Sequence, residues 1–189
     1  MDAITLLKDD HKTVEGLFKR FEQAGDRAYK AKRKLVDRMI HELAVDASIE
    51  EQLFYPAARE HVESAEDVVL ESLEEHHIVK WTLSELEKMD PQDERFDAKV
   101  TVLMESVRHH VKEEEKDMFP KIRKAMEASD LKDLGAQMEA AKKTAPTRPH
   151  PKAPDEPPGN LVAAAASAAI DKGKGVASSM AKAVKGRRR

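Results

Sequence analysis

Apolar residues recur through residues 1–143 at intervals of three and four and never settle into period two, so the pattern predicts helix and no strand. Over 3–23 the apolar stripe is Ile4, Leu7, Val14 and Phe18, and over 29–62 it is Val36, Met39, Leu43 and Leu53. Over 65–89 it is Val69, Leu73, Val79, Leu83 and Leu86, and over 94–128 it is Val100, Leu103, Val107 and Met118. Ala24-Gly25-Asp26 breaks the first segment and Asp90-Pro91 closes the third, while Pro56 and Pro120 are expected to kink the second and fourth or end their regular part. A short fifth helix is expected over 131–143, packed outside. Four long helices on short connections predict an all-α fold, an antiparallel up-down four-helix bundle with a short fifth helix and a flexible C-terminal tail.

Polar residues intrude on these stripes in a repeated pattern. His11 lies in the first, Asp46 and Glu50 in the second, His76 in the third, and His110 and Glu114 in the fourth. The stretch Asp46-Ala-Ser-Ile-Glu50-Glu51-Gln-Leu-Phe-Tyr55-Pro56 is answered 64 residues later by His110-Val-Lys-Glu-Glu114-Glu115-Lys-Asp-Met-Phe119-Pro120. Asp10-His11 is answered at an offset of 65 by Glu75-His76. The chain therefore reads as two helical hairpins of one design, each bringing a histidine from its first helix and a carboxylate-rich patch from its second.

Six such groups on core faces are costly to bury unless something satisfies them. Three imidazoles and three carboxylates converging from four helices suit first-row transition ions, iron among them. Members of Asp46-x-x-x-Glu50 and of His110-x-x-x-Glu114 stand one above the other on a helix face, so both reach the bundle axis.

At these residues the chain resembles the hemerythrin HHE cation-binding family, over residues 2–126. In that family the matching residues hold two non-haem irons bridged by an oxo or hydroxo group and by carboxylates. The resemblance implies that His11, Glu50, His76, His110 and Glu114 are metal ligands here. Where the family has histidine at the head of the first motif this chain has Asp46, which implies an oxygen ligand, a water or no ligand at that place. Tyr55, one turn after Glu51, is weighed both as a phenolate filling that gap and as a side chain packed against the bundle end.

Composition adds boundaries. The net charge of −3 divides into −9 on 1–143 and +6 from 144 on, and six of the nine prolines fall within 145–159. This marks a bundle over 1–143, a Pro-rich linker over 144–160 and an Ala-rich basic tail over 161–189, expected to be disordered or to touch an anionic partner. No cysteine is present, which excludes disulfides and thiolate metal sites. No apolar run is long enough for a signal peptide or a membrane span, so a cytoplasmic location is expected, with the chain a monomer or weak dimer and no specific nucleic-acid partner. His41, His61 and His150 are expected to be exposed, His77 and His109 to lie off the stripe, and Trp81, Phe54 and Phe119 to belong to the core.

The reading that results is a di-iron protein that binds or reacts with peroxide, nitric oxide or dioxygen, in detoxification or in redox or gas sensing. An oxygen or iron binding and storage protein, and an interaction module with a vestigial metal site, are the alternatives. Of the two Glu-x-x-His motifs that a ferritin-like site wants, only Glu74-x-x-His77 occurs, and it is off the stripe. No phosphate loop, dinucleotide fingerprint or nucleophile paired with a base supports a hydrolase or a nucleotide enzyme.

Overall fold

The computed structural model describes the backbone of residues 1–186 and the side chains of 1–173. Helix α1 (Ala3–Glu22) is followed by α2 (Tyr29–Ile49), a π-helical turn (Glu50–Phe54) and α3 (Tyr55–His61). The second half repeats the plan with α4 (Glu66–Leu86), α5 (Phe96–Glu113), a second π turn (Glu114–Met118) and α6 (Phe119–Ala125). Helix α7 (Ala128–Lys142) and helix α8 (Gly159–Gly186) complete the chain. No described helix is long and apolar enough to cross a membrane.

Local chemistry fixes the starts and bends. Asp2 caps α1 by accepting from the Thr5 N–H at 2.9 Å, satisfying one donor that an open helix end leaves unpaired. Each proline lacks an N–H and crowds the carbonyl one turn back, so the helix cannot pass it at α pitch. The backbone widens instead of ending. Tyr55 N–H reaches Glu50 O and Phe119 N–H reaches Glu114 O, five residues back in each case. The kinks expected at Pro56 and Pro120 are therefore π turns one residue ahead of each proline, and both helices run on beyond them.

The core lies in two apolar clusters with the polar residues between. One gathers Ile4, Leu7, Phe54, Tyr55, Phe119 and the α7 residues Leu131 and Met138; the other gathers Phe18, Val36, Met39, Leu83, Phe96 and Leu103. Helix α7 packs against α1 and α2, and comes so close at Gly135 that an added Cβ would lie 2.5 Å from Met1 O.

Two expectations need correction, at Trp81 and at His150. Trp81 is 44% exposed and lies outside the core, its indole N–H donating to His77 Nε2 at 3.0 Å. The segment after 143 makes contacts that its composition did not suggest. Asp171 is buried and accepts from the N–H groups of Thr147 and Arg148 at 2.9 and 3.1 Å and from His150 Nε2 at 3.1 Å, tying α8 back onto the proline segment. His150 is accordingly only part exposed. Asn160 Nδ2 donates to Glu51 O at 3.1 Å, so the start of α8 sits on the first π turn. Fixing these residues costs conformational entropy, which those buried polar bonds and the apolar contact of Ala168 offset. The arginines at 187–189, part of the expected basic tail, lie outside the described residues.

Candidate metal centre

The four long helices bring His11, Asp46, Glu50, His76, His110 and Glu114 together, each nearly or fully buried. Their donor atoms form two compact groups. Glu50, His76 and His110 make one, and His11, Glu50 and Glu114 the other, with the atoms of each within 4.8 Å of one another. Glu50 belongs to both: its Oε2 lies 3.4 Å from His76 Nε2 and its Oε1 3.9 Å from His11 Nε2. Glu114 Oε2 stands 3.4 Å from His11 Nε2 and 3.6 Å from His110 Nε2, so this second carboxylate also faces both sides.

Every histidine of the cluster is held from behind by a carboxylate. Glu115 Oε1 accepts from His11 Nδ1 at 3.0 Å, Glu51 Oε1 from His76 Nδ1 at 3.0 Å, and Glu75 Oε2 from His110 Nδ1 at 2.7 Å. Fixing Nδ1 as a donor turns each Nε2 lone pair inward, the arrangement by which proteins orient imidazole ligands. Sequence reasoning singled out none of these three as supports. A signal was present in the doubled acids Glu50-Glu51 and Glu114-Glu115 and in the acid before His76, each repeated in register. The π turns explain why the doubled acids were hard to place, since at α pitch neighbours diverge by about 100°, whereas here Glu50 and Glu51 are both buried.

Whether these residues fit a cation can be tested on the atoms left over. Glu50 Oε1, Glu114 Oε2 and Asp46 Oδ1 are buried and make no hydrogen bond. Buried oxygens of this kind are rare unless a partner of another sort belongs there. The Nε2 atoms of His76 and His110 are 3.1 Å apart, both with lone-pair positions directed at the same space. The donor set fits a cation.

Electrostatics agree. Burial disfavours charge on His11, yet the facing carboxylates of Glu114 and Glu50, with the charge of Asp46, push it up to about 12. Burial opposes His76 likewise, and Glu50 and Glu51 push it up to about 10. Burial would raise Glu50, but His11 and His76 outweigh it and hold the carboxyl down to about 2. Asp46, fully buried beside the charge of Glu50, is raised well above the ordinary carboxylate range. So the carboxylates draw positive charge into the core, as protons or as a cation.

The remaining sequence expectations separate. Asp46 is buried in the same layer but falls outside both compact groups. Tyr55 lies within the cluster. Its O–H donates to Glu114 Oε1 at 3.0 Å and lies 3.2 Å from His76 Nε2 and 3.4 Å from His110 Nε2. Burial and the Glu114 charge raise its phenol well above the usual range. Phe119, its counterpart in the repeat, stacks on His11 with ring centroids 5.8 Å apart. His41 and His61 are exposed, and His109 is exposed beside Glu75.

A helical bundle whose core buries two histidine–carboxylate groups sharing one glutamate is a cation-binding bundle. The family model described as Hemerythrin HHE cation binding domain matches residues 2–122, and the chain belongs to that family. It is similar to an uncharacterised hemerythrin-like protein of Schizosaccharomyces pombe, 29% identical over 164 residues that cover 86% of this chain and 80% of that protein. The crystal structure of a hemerythrin HHE cation binding domain-containing protein from Mycobacterium kansasii superposes with a TM-score of 0.65 at 25% identity, covering 76% of this chain and 86% of that one. A DNA nickase of Nostoc is 25% identical over 142 residues, but these span only 39% of its length.

Proposed function

We propose that this chain is a non-haem di-iron protein that binds or reacts with small oxidants, namely peroxide, nitric oxide or dioxygen, in detoxification or in sensing. The observation that carries the reading is Glu50, one buried carboxylate common to two donor groups. His76, His110 and Glu50 would hold one ion, and His11, Glu50 and Glu114 the other, with Asp46 a further oxygen donor in reach of the second. Imidazole mixed with carboxylate and without thiolate suits iron. When bound, a pair of iron ions supplies two adjacent one-electron centres for small-molecule redox chemistry.

The chain's own residues shape what such a centre can do. Glu115, Glu51 and Glu75 keep each Nε2 free to coordinate and make the imidazoles more basic. Asp46 puts a carboxylate where the other half has His110, adding negative charge that favours the oxidised state over reversible oxygen carriage. A groove of about 480 Å³ between α1 and α5 has His11 and Glu115 among its walls, together with Val14, Phe18, Val107 and Val111. It offers a small molecule a route to the His11 side, where the buried Phe119 ring stacks on the imidazole.

Iron content and the visible spectrum of protein purified aerobically test this reading. The wild type should carry about two irons per chain, with charge-transfer absorption from bridged ferric ions. His110→Ala should lose iron from its half, whereas the exposed His41→Ala should not. A colourless protein that melts at the same temperature with and without added iron would overturn the proposal.

A further inference from the structure

Metal-ligating atoms that the buried centre leaves unused gather on the open face of α4 and α5. His109 Nε2 lies 3.4 Å from Glu113 Oε1, one turn further along α5, and 3.8 Å from Glu75 Oε1 on α4. All three donor atoms fall within 4.8 Å of one another. Glu75 divides its carboxylate between two tasks. Oε2 accepts from His110 Nδ1 at 2.7 Å, while Oε1 is left facing His109.

The repeat gives an independent sign that a cation belongs beside Glu75. Asp10 occupies the matching place in the first half, and there α7 delivers the ammonium of Lys142 to 2.5 Å from Asp10 Oδ2. Val45 and Ile49, which match His109 and Glu113 in that half, are apolar and buried. Glu51 also holds an ammonium, Lys80 Nζ at 2.6 Å. Glu75 has no lysine or arginine partner among the described residues. It has instead an imidazole and a second carboxylate, both accessible to solvent.

We propose that Glu75, His109 and Glu113 form a surface site for a divalent transition-metal cation, separate from the buried centre and joined to it through the shared Glu75 carboxylate. One imidazole and two carboxylates select zinc, ferrous or cobaltous ions over magnesium or calcium, which take oxygen donors alone. Water completes the coordination on the solvent side. A cation there pairs with Glu75 as Lys142 pairs with Asp10, neutralising the carboxylate that holds His110. The site stands whether or not the buried centre carries iron.

Zinc titration of the protein as purified, followed by calorimetry and by metal analysis, tests the site. The wild type should bind one zinc per chain that His109→Ala and Glu113→Gln each weaken by at least about tenfold, with the metal already present and the far-ultraviolet dichroism unchanged. His41→Ala, which removes an exposed imidazole elsewhere, should bind zinc as the wild type does. Zinc binding that is absent from the wild type, that survives both substitutions, or that falls equally in His41→Ala overturns the proposal. Because zinc stoichiometry is read as a difference between variants, failure of the di-iron reading would leave this result intact.

Discussion

The phenol of Tyr55 donates a hydrogen bond to Glu114 Oε1 across 3.0 Å, from the position that the other repeat gives to Phe119. The two halves thus secure their carboxylates differently. Tyr55→Phe makes them alike at this position and leaves Glu114 Oε1 buried without its donor. That should cost the metal-free protein roughly 1–3 kcal/mol, measured by denaturant unfolding. An unchanged unfolding midpoint would mean that the phenol contributes nothing to holding Glu114.

Asp46 should affect the metal-free and metal-loaded proteins in opposite directions. Burial and the Glu50 charge raise its carboxyl well above the 3.8 of an exposed aspartate, so at neutral pH it weakens the empty fold. Asp46→Asn removes that penalty and should raise the melting temperature of metal-stripped protein, by roughly 2–4 °C for each kcal/mol recovered. The same change removes an anionic oxygen donor and should lower metal affinity. Thermal scans with and without metal separate the two effects, and a parallel shift in both would contradict the assignment.

The protonated imidazoles set an alkaline limit on the empty centre. His11 and His76 have folded values of about 12 and about 10, above the 6.5 of a free histidine. Their contribution to stability is complete below that ordinary value and is lost as pH rises through the folded ones. Glu50, held at about 2, acts conversely: it stabilises above its ordinary 4.5 and loses that contribution as pH falls through its folded value. Metal-stripped protein should therefore melt lower at about pH 10 than at about pH 7. A cation displaces those protons, so metal should bind more tightly as pH rises and flatten the alkaline decline. Melting curves across this range, with and without metal, provide the check.

Gly135 is required by a close approach of chain to chain. A Cβ there would meet Met1 O at 2.5 Å, Ala3 N at 2.8 Å and Asp2 C at 2.8 Å, all of them backbone atoms. Gly135→Ala gains about 1 kcal/mol of helix propensity, but it forces α7 away from the start of α1. A net loss of roughly 1–3 kcal/mol is expected, read as a lower denaturant midpoint. A stabilised variant would show that the first residues can yield without cost.

The bundle was legible in the sequence because its stripes carry enough apolar residues to fix the inner face of each helix. His11, His76 and His110 were legible because they interrupt those stripes at spacings that occur twice. The supports Glu51, Glu75 and Glu115 were less so, since their placement depends on π turns and on partners from other helices. Trp81 misled because a large aromatic ring is ordinarily buried, whereas here its N–H serves an adjacent histidine at the surface. The contacts of the segment after residue 143 were hard to read for a related reason. Its proline content argues for an extended linker, and the contacts that tie it down come from Asp171 and Asn160, single polar residues in an alanine-rich stretch.

The π turns make the centre depend on chain length as well as on side-chain identity. Each turn holds one residue more than an α turn between the ligating glutamate and the aromatic ring that follows. Deleting a single residue at Gln52 or Leu53 would bring the Tyr55 N–H to four residues from Glu50 and close the turn at α pitch, with Tyr55 and Ala58 still on the inner face. Glu50, upstream, would stay in place, while the residues inside the turn, Glu51 among them, would be re-aimed. A relative lacking that one residue would keep all six histidine and carboxylate positions of the core and still present different groups around them. Comparisons within this fold therefore have to count residues between Glu50 and Pro56, and between Glu114 and Pro120, before matching side chains across the gap.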